Sequence, residues 1–135
     1  MFSITENDID PQALKAQLEN PYCGALVCFE GWVRNHHEGQ SVDGLYYQAY
    51  QELAMHEGTR IINLAKESFA IEHASCCHRV GQLGIGDMAV WVGVASAHRQ
   101  PAFEAAAFIM DTIKESLPIW KQESYSQSHK IWRMA

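Results

Sequence analysis

The stretch MAVWVGVASAHRQPAFEAAAFIMDTIKESLPIWKQE, Met88 to Glu123, decides the architecture of this chain. Met88 to Ser96 is apolar at successive positions, which suits a central strand buried on both faces. Pro101 fits the first turn of a helix, and Phe103, Ala106, Ala107, Met110, Ile113 and Leu117 follow at helical spacing. Pro118 cannot continue that helix, and Leu117 before it is biased towards extended geometry. IWKQESYS, from Ile119 to Ser126, then reads as a short strand. Two lysines flank the break. In an extended IWKQE, Ile119, Lys121 and Glu123 share one face while Trp120 and Gln122 share the other. A helix that stops and reverses can therefore bring Lys114 and Lys121 close in space.

Upstream, Asp10-Pro11 has the form of an N-cap with proline at the first helical position, and Asn20-Pro21 closes that short helix. Gly24 to Arg34, GALVCFEGWVR, is rich in β-formers, with Gly31 marking a bulge or a close backbone approach. NHHEGQSVDG is a polar connection, and LYYQAY is the returning strand. Between Gln51 and Phe69, the residues Ala54, Met55, Gly58, Ile61, Ile62, Ala65 and Phe69 mark a core-facing helix. Strand-like sequence runs from Ile71 to Val80, and GQLGIGD is read as a hairpin turn. After the first short helix, the order β-β-α-β-β-α-β predicts an α+β fold with a mixed sheet.

A chain of 135 residues is expected to form one domain, 1–135, with a core that needs no staples. No apolar run reaches the roughly 20 residues that span a bilayer, and the N-terminus has no secretory pattern. A cytoplasmic location and reduced cysteines at Cys23, Cys28, Cys76 and Cys77 are the matching expectations. The formal net charge of -6 argues against a general nucleic-acid binder. Any anion bound here must meet a local cluster of cations.

Four other segments compete for chemistry. His73-Ala-Ser-Cys76-Cys77-His78 is dense in metal-capable groups, but strand alternation sends His73 and Cys77 to one face and Cys76 and His78 to the other. Buried thiols and edge histidines are the simpler reading, and no metal is expected. GQLGIGD lacks the spacing of a phosphate-binding loop. SAHRQP puts His98 and Arg99 where a buried strand gives way to a helix, a place suited to anions. Solvated residues at a helix start would look the same. VRNHHEG ends a long strand with Arg34 and reads, alone, as a solvated tip. For Lys114, compensation of the helix dipole is the plain alternative to chemistry.

Taken together, VRNHHEG, RVGQLGIGD, VWVGVASAHRQPAFEAAAFIMDTIKESLPIWKQE and Trp132 resemble the large, catalytic subunit of molybdopterin synthase, in that family's order and spacing. The resemblance covers nearly the whole chain from Gly24 onward. It implies an α/β hammerhead-type domain with a mixed, largely antiparallel sheet and flanking helices. It implies a homodimer, each end of which binds a small ubiquitin-like sulfur-carrier subunit, giving a heterotetramer. The implied reaction converts cyclic pyranopterin monophosphate (precursor Z) to molybdopterin, in molybdenum cofactor biosynthesis. Two carrier thiocarboxylates supply the sulfurs, with no permanently bound cofactor.

By the same resemblance, Lys114 and Lys121 match the family's active-site lysines, with Lys114 catalytic. Arg34, His98 and Arg99 match residues that hold the pterin or its phosphate, and Gln122 and Glu123 continue a substrate-contacting strand. Trp32 stands where such sequences often carry lysine or another polar residue, which leaves a contact through the backbone at Trp32 and Val33. Two other classes remain: a non-catalytic homologue that only docks a ubiquitin-like partner, and a metal- or persulfide-carrying protein using Cys76 and Cys77.

Overall fold

The structure, a computed structural model, describes residues 1–125 and 130–135, and for Lys130 and Ile131 the backbone alone. The apolar run Met88–Ser96 (β7) is central, as its composition requires, with each residue from Ala89 to Ser96 buried. It pairs antiparallel with Ala25–Trp32 (β2) on one side and His73–Arg79 (β5) on the other. Phe2–Thr5 (β1), a strand not foreseen in the sequence, adds parallel to β5, giving a four-stranded sheet in the order β1-β5-β7-β2. The β2 register slips between Gly31 and Trp32. A Cβ on Gly31 would stand 2.7 Å from Cγ1 of Val90, so the close approach anticipated at that glycine is real.

Pro11–Ala16 (α1) begins where expected, with the Asp10 carboxylate accepting from the Ala13 amide. It lies over one face of the sheet, where Ile9, Leu18, Cys77, Trp91 and Ala95 form a small apolar cluster. The opposite face carries Ala74, Cys76, Val90, Val92 and Val94. There Gln51–Ser68 (α2) and Arg99–Ser116 (α3) cover the main core. Strand alternation thus divides the four-stranded sheet between two apolar layers.

The remaining strands form a second sheet. Gln40–Ala49 (β4) pairs with Ile119–Tyr125 (β8), which pairs in turn with Lys130–Met134 (β9). On its other side β4 takes Gly81–Gly84 (β6) and, at its start, the two-residue strand His36–His37 (β3). The chain crosses from the first sheet to the second at Gly81, whose φ of +94° is open to glycine at no steric cost.

The α+β class and largely antiparallel pairing follow the expectation, with the strands divided between two sheets. Three local readings shift. GQLGIGD is not only a turn, because Gly81–Gly84 pairs with β4. The polar stretch before LYYQAY is already strand from Gln40, and β4 does not return along β2. In α3 the buried stripe is Ala102, Ala105, Ala106, Ile109 and Ile113, while Phe103 is 60% exposed and Ala107 is exposed. Alanines let the helix lie close on the sheet and turn the bulkier Phe103 outward. Met55 of α2, at 38%, is likewise outside its stripe. IWKQESYS is β8 as far as Tyr125, and Ser126 lies outside the described residues.

Candidate active site

The end of α3 shows how local sequence builds a site. Leu117 caps the helix in extended geometry (φ -74°, ψ 126°), its amide still bonded to the Ile113 carbonyl. Pro118 turns the chain, and its carbonyl accepts from the Tyr50 amide at 3.0 Å. The strand that follows alternates as its sequence predicts. Ile119, Lys121 and Glu123 face a cavity of about 320 Å³, whereas Trp120 and Gln122 do not line it. Lys114, from the last turn of α3, reaches the same cavity.

Arg34, Trp32 and Val33 bring the end of β2 to this cavity, and His36 and His37 border it from β3. Val33 is buried and held on both sides, its amide donating to the Asp87 carbonyl and its own carbonyl accepting from the Gly86 amide. Arg34 is exposed, with one guanidinium nitrogen 3.4 Å from His37 Nδ1. Trp32 is 67% exposed and donates from Nε1 to Glu30. Three cations from three separate segments, Arg34, Lys114 and Lys121, therefore border one space.

The electrostatics agree with that convergence. Burial pushes the Lys121 ammonium below the ordinary lysine range. Glu123 opposes that shift, while the positive charges of Lys114, Arg133 and Arg34 add to it. Glu123 is 2% exposed and forms an ion pair with Arg133 Nε at 3.1 Å, as a buried carboxylate must. Arg133 also stands 3.8 Å from Glu38 at the tip of the β3–β4 hairpin.

The cavity also holds two polar residues not assigned to it from sequence: Tyr47, which is not singled out there, and His78, which reads as an edge histidine. Tyr47 of β4 is buried, and burial followed by the nearby Glu123 charge pushes its phenol up to about 12. His78 of β5 is 7% exposed rather than at an edge, and its ring packs edge-on against Tyr47 with centroids 5.0 Å apart. Its Nδ1 lies 2.8 Å from the Arg79 carbonyl oxygen. A carbonyl only accepts, so Nδ1 carries the proton and donates. Burial pulls the His78 pKa down to about 4, against the opposing pull of that hydrogen bond. The ring is neutral at pH 7.

His98 and Arg99 do not join this group within one chain. They sit at the start of α3, sixteen and fifteen positions before Lys114, or about 22 to 24 Å along a helix. Both are exposed there, and the first turn of α3 carries no acidic side chain. Buried Ser96 donates to the His98 carbonyl, which fixes the junction. Gln122 lies on the opposite face of β8, consistent with the alternation.

The cysteines stay apart from the cavity. All four are free, and burial raises the thiols of Cys76 and Cys77, so thiolate chemistry is disfavoured at both. Among the described residues, no three His, Cys, Asp or Glu side chains converge as a metal site. No helix among them is long and apolar enough to cross a membrane.

The site is thus a cavity in a two-sheet α+β fold where three cations of an acidic chain converge. Comparison with known proteins makes the class specific. Residues 4–116 match the family model described as MoaE protein, and the chain belongs to that family. It is 44% identical to the molybdopterin synthase catalytic subunit of Thermoplasma volcanium, over 96% of this chain and 94% of that protein. Its identity to the Escherichia coli protein of the same name is 38%, covering 86% of this chain and 81% of that one. The crystal structure of molybdopterin synthase from Staphylococcus aureus superposes with a TM-score of 0.91 at 33% identity, covering 96% of this chain and 94% of that one.

Proposed function

We propose that this chain is the catalytic subunit of a molybdopterin synthase, a sulfurtransferase that installs two sulfurs on precursor Z from the C-terminal thiocarboxylate of a small carrier subunit. The observation that carries this reading is the meeting of Arg34, Lys114 and Lys121 on one cavity. The name shared by its relatives, catalytic subunit, is that of one component of a larger enzyme. Residues 1–135 act together as one domain in this reading, and the chemistry resides in the pterin, the carrier tail and side chains, with no permanently bound cofactor.

Substrate and sulfur donor are both anionic, so each is drawn to the same cations. Arg34 orients the pterin phosphate, with Trp32 and Val33 offering backbone contacts beside it. Each thiocarboxylate sulfur bonds to a side-chain carbon of the pterin as a carbon–oxygen bond at that carbon breaks and its oxygen leaves as water or with the phosphate. Water then cleaves the acyl–sulfur bond, which leaves the sulfur on the pterin and returns the carrier as a carboxylate. Lys114 stabilises the charge that develops on the carrier carbonyl as sulfur leaves, or moves a proton there. Lys121, with its ammonium pushed down by burial, and Glu123 organise proton traffic, and Gln122 steadies the strand that holds them.

His98 and Arg99 can serve the same reaction only from a second copy of the chain, because α3 holds them too far from its own Lys114. A homodimer that sets the start of one α3 beside the cavity of its partner meets that requirement. The functional test is incubation with a thiocarboxylated carrier and precursor Z, followed by an assay for molybdopterin. Formation of molybdopterin with loss of carrier sulfur supports the proposal. Tight carrier binding with no product would instead favour a docking homologue that has lost its chemistry.

A further inference from the structure

His78 has no part in the chemistry described so far, yet it is buried in the wall of the reaction cavity. It lies on the sheet face that carries Ala74 and Cys76, and its β7 neighbour Val90 also lines the cavity. Two contacts fix the imidazole. Nδ1–H donates to the Arg79 carbonyl at 2.8 Å, and the ring packs edge-on against Tyr47. The ring is thereby committed to one tautomer, with its lone pair on Nε2. No described residue bonds that Nε2.

The other charged side chains of the cavity make that lone pair valuable. Arg34, Lys114 and Lys121 present only N–H donors. Glu123 is charge-paired with Arg133 at 3.1 Å, although its Oε1 makes no hydrogen bond among the described residues, so His78 offers a neutral acceptor beside an anionic one. A pterin, however, carries amino and ring N–H groups that need acceptors. We propose that His78 is a substrate-contacting residue whose Nε2 accepts a hydrogen bond from an N–H or O–H of the bound pterin, selecting for the reduced, hydrogen-bearing ring system. This inference rests on the synthase reading, and it adds a specificity determinant on the cavity floor to the cations on its rim.

Two substitutions separate contact from scaffolding. His78→Asn keeps a donor for the Arg79 carbonyl but removes the acceptor at the Nε2 position. His78→Gln can restore an acceptor there. With thiocarboxylated carrier in excess, H78N should raise the KM for precursor Z about tenfold or more, with kcat changed much less. H78Q should recover most of that loss. A second readout is free of turnover: the ring nitrogen-15 resonance of Nε2 in the wild-type chain should move on adding precursor Z alone, while Nδ1 stays bonded to Arg79. A KM in folded H78N within twofold of wild type, a loss that folded H78Q does not relieve, or an unmoved Nε2 resonance overturns the inference. If H78Q fails to fold, H78N and the resonance decide. A wild-type chain that makes no molybdopterin overturns the functional reading and this inference with it. Normal wild-type turnover beside an unaffected H78N overturns the inference alone.

Discussion

The two ends of α3 make an instructive pair. At its C-terminal end, Lys114 opens onto a cavity walled by both sheets, with Arg34, Lys121, Tyr47, His78 and Glu123 around it. At its N-terminal end, His98 and Arg99 stand exposed, and neither lines that cavity. The same 18-residue helix therefore carries a finished half-site and an unfinished one. Cations at a helix N-terminus oppose the macrodipole, so Arg99 gains little from its own helix. An anion bound there would remove that conflict. The difference teaches that one end of the helix gathers groups from several elements onto one cavity, while His98 and Arg99 stand apart from them, where the proposed mechanism uses them only through a second copy.

The largest effect should come from the finished end. Lys114→Ala is expected to lower molybdopterin formation by about 10²- to 10⁴-fold, the range for a group that stabilises charge or moves a proton. Circular dichroism and carrier binding should stay near wild type, because Lys114 is exposed and supports no core contact. Near-normal turnover would erase the contrast between the two ends.

Burial supplies the next largest difference. The His78 pKa is about 4 in the folded chain, and the ordinary value of 6.5 applies on unfolding. Below pH 6.5 the unfolded state takes up a proton that the native state resists, so stability falls as pH drops from 6.5 to about 4 and the loss is complete below that. A shift of this size corresponds to about 3 kcal/mol. Urea melts of wild type and H78N across that window should diverge by an amount of this order. Tyr47, Lys121 and Glu123 face the same cavity and are unchanged in both chains, so the difference isolates His78.

At the N-terminal end of α3, replacing both His98 and Arg99 by alanine should reduce kcat/KM about tenfold to a hundredfold, mainly through KM, as expected for lost phosphate contacts. The smallest effect belongs to Trp32→Ala. Its side chain is two-thirds solvent-exposed, so a contact through its backbone predicts turnover within about threefold of wild type.

What could be read in the sequence follows how local each feature is. Pro118 and the alternation of Ile119, Lys121 and Glu123 involve a few neighbouring residues, and both are observed as expected. The α3 stripe was misjudged because Phe103, Ala107, Phe108 and Met110 spread apolar character around the helix, so spacing alone could not choose its buried side. Gln40 to Gly44 reads as a connection because Val42 is the one large apolar residue among glutamine, serine, aspartate and glycine, and its pairing with β3 and β8 depends on residues far away in the chain or across a turn. Tyr47 and His78 were missed for a deeper reason. They meet only because β4 and β5, in different sheets, bring their ends to one cavity. Strand alternation paired His78 correctly with Cys76, but it could not show what lay opposite that face. The strand-to-helix junction marks His98 and Arg99 as candidates and the family resemblance supplies their role, while the fold sets them apart from Arg34, Lys114 and Lys121.

The most direct test of the two-ended account is subunit complementation. K114A and the H98A/R99A double variant are each impaired alone. When they are co-assembled in equal amounts, half of the dimers are mixed, and each mixed dimer has one site with both ends intact. With precursor Z well below its KM, molybdopterin formation should recover to about a quarter of the wild-type rate, the fraction of intact sites in a randomly mixed two-fold dimer. Activity no greater than the average of the two parents, in preparations shown to contain mixed dimers, would contradict it.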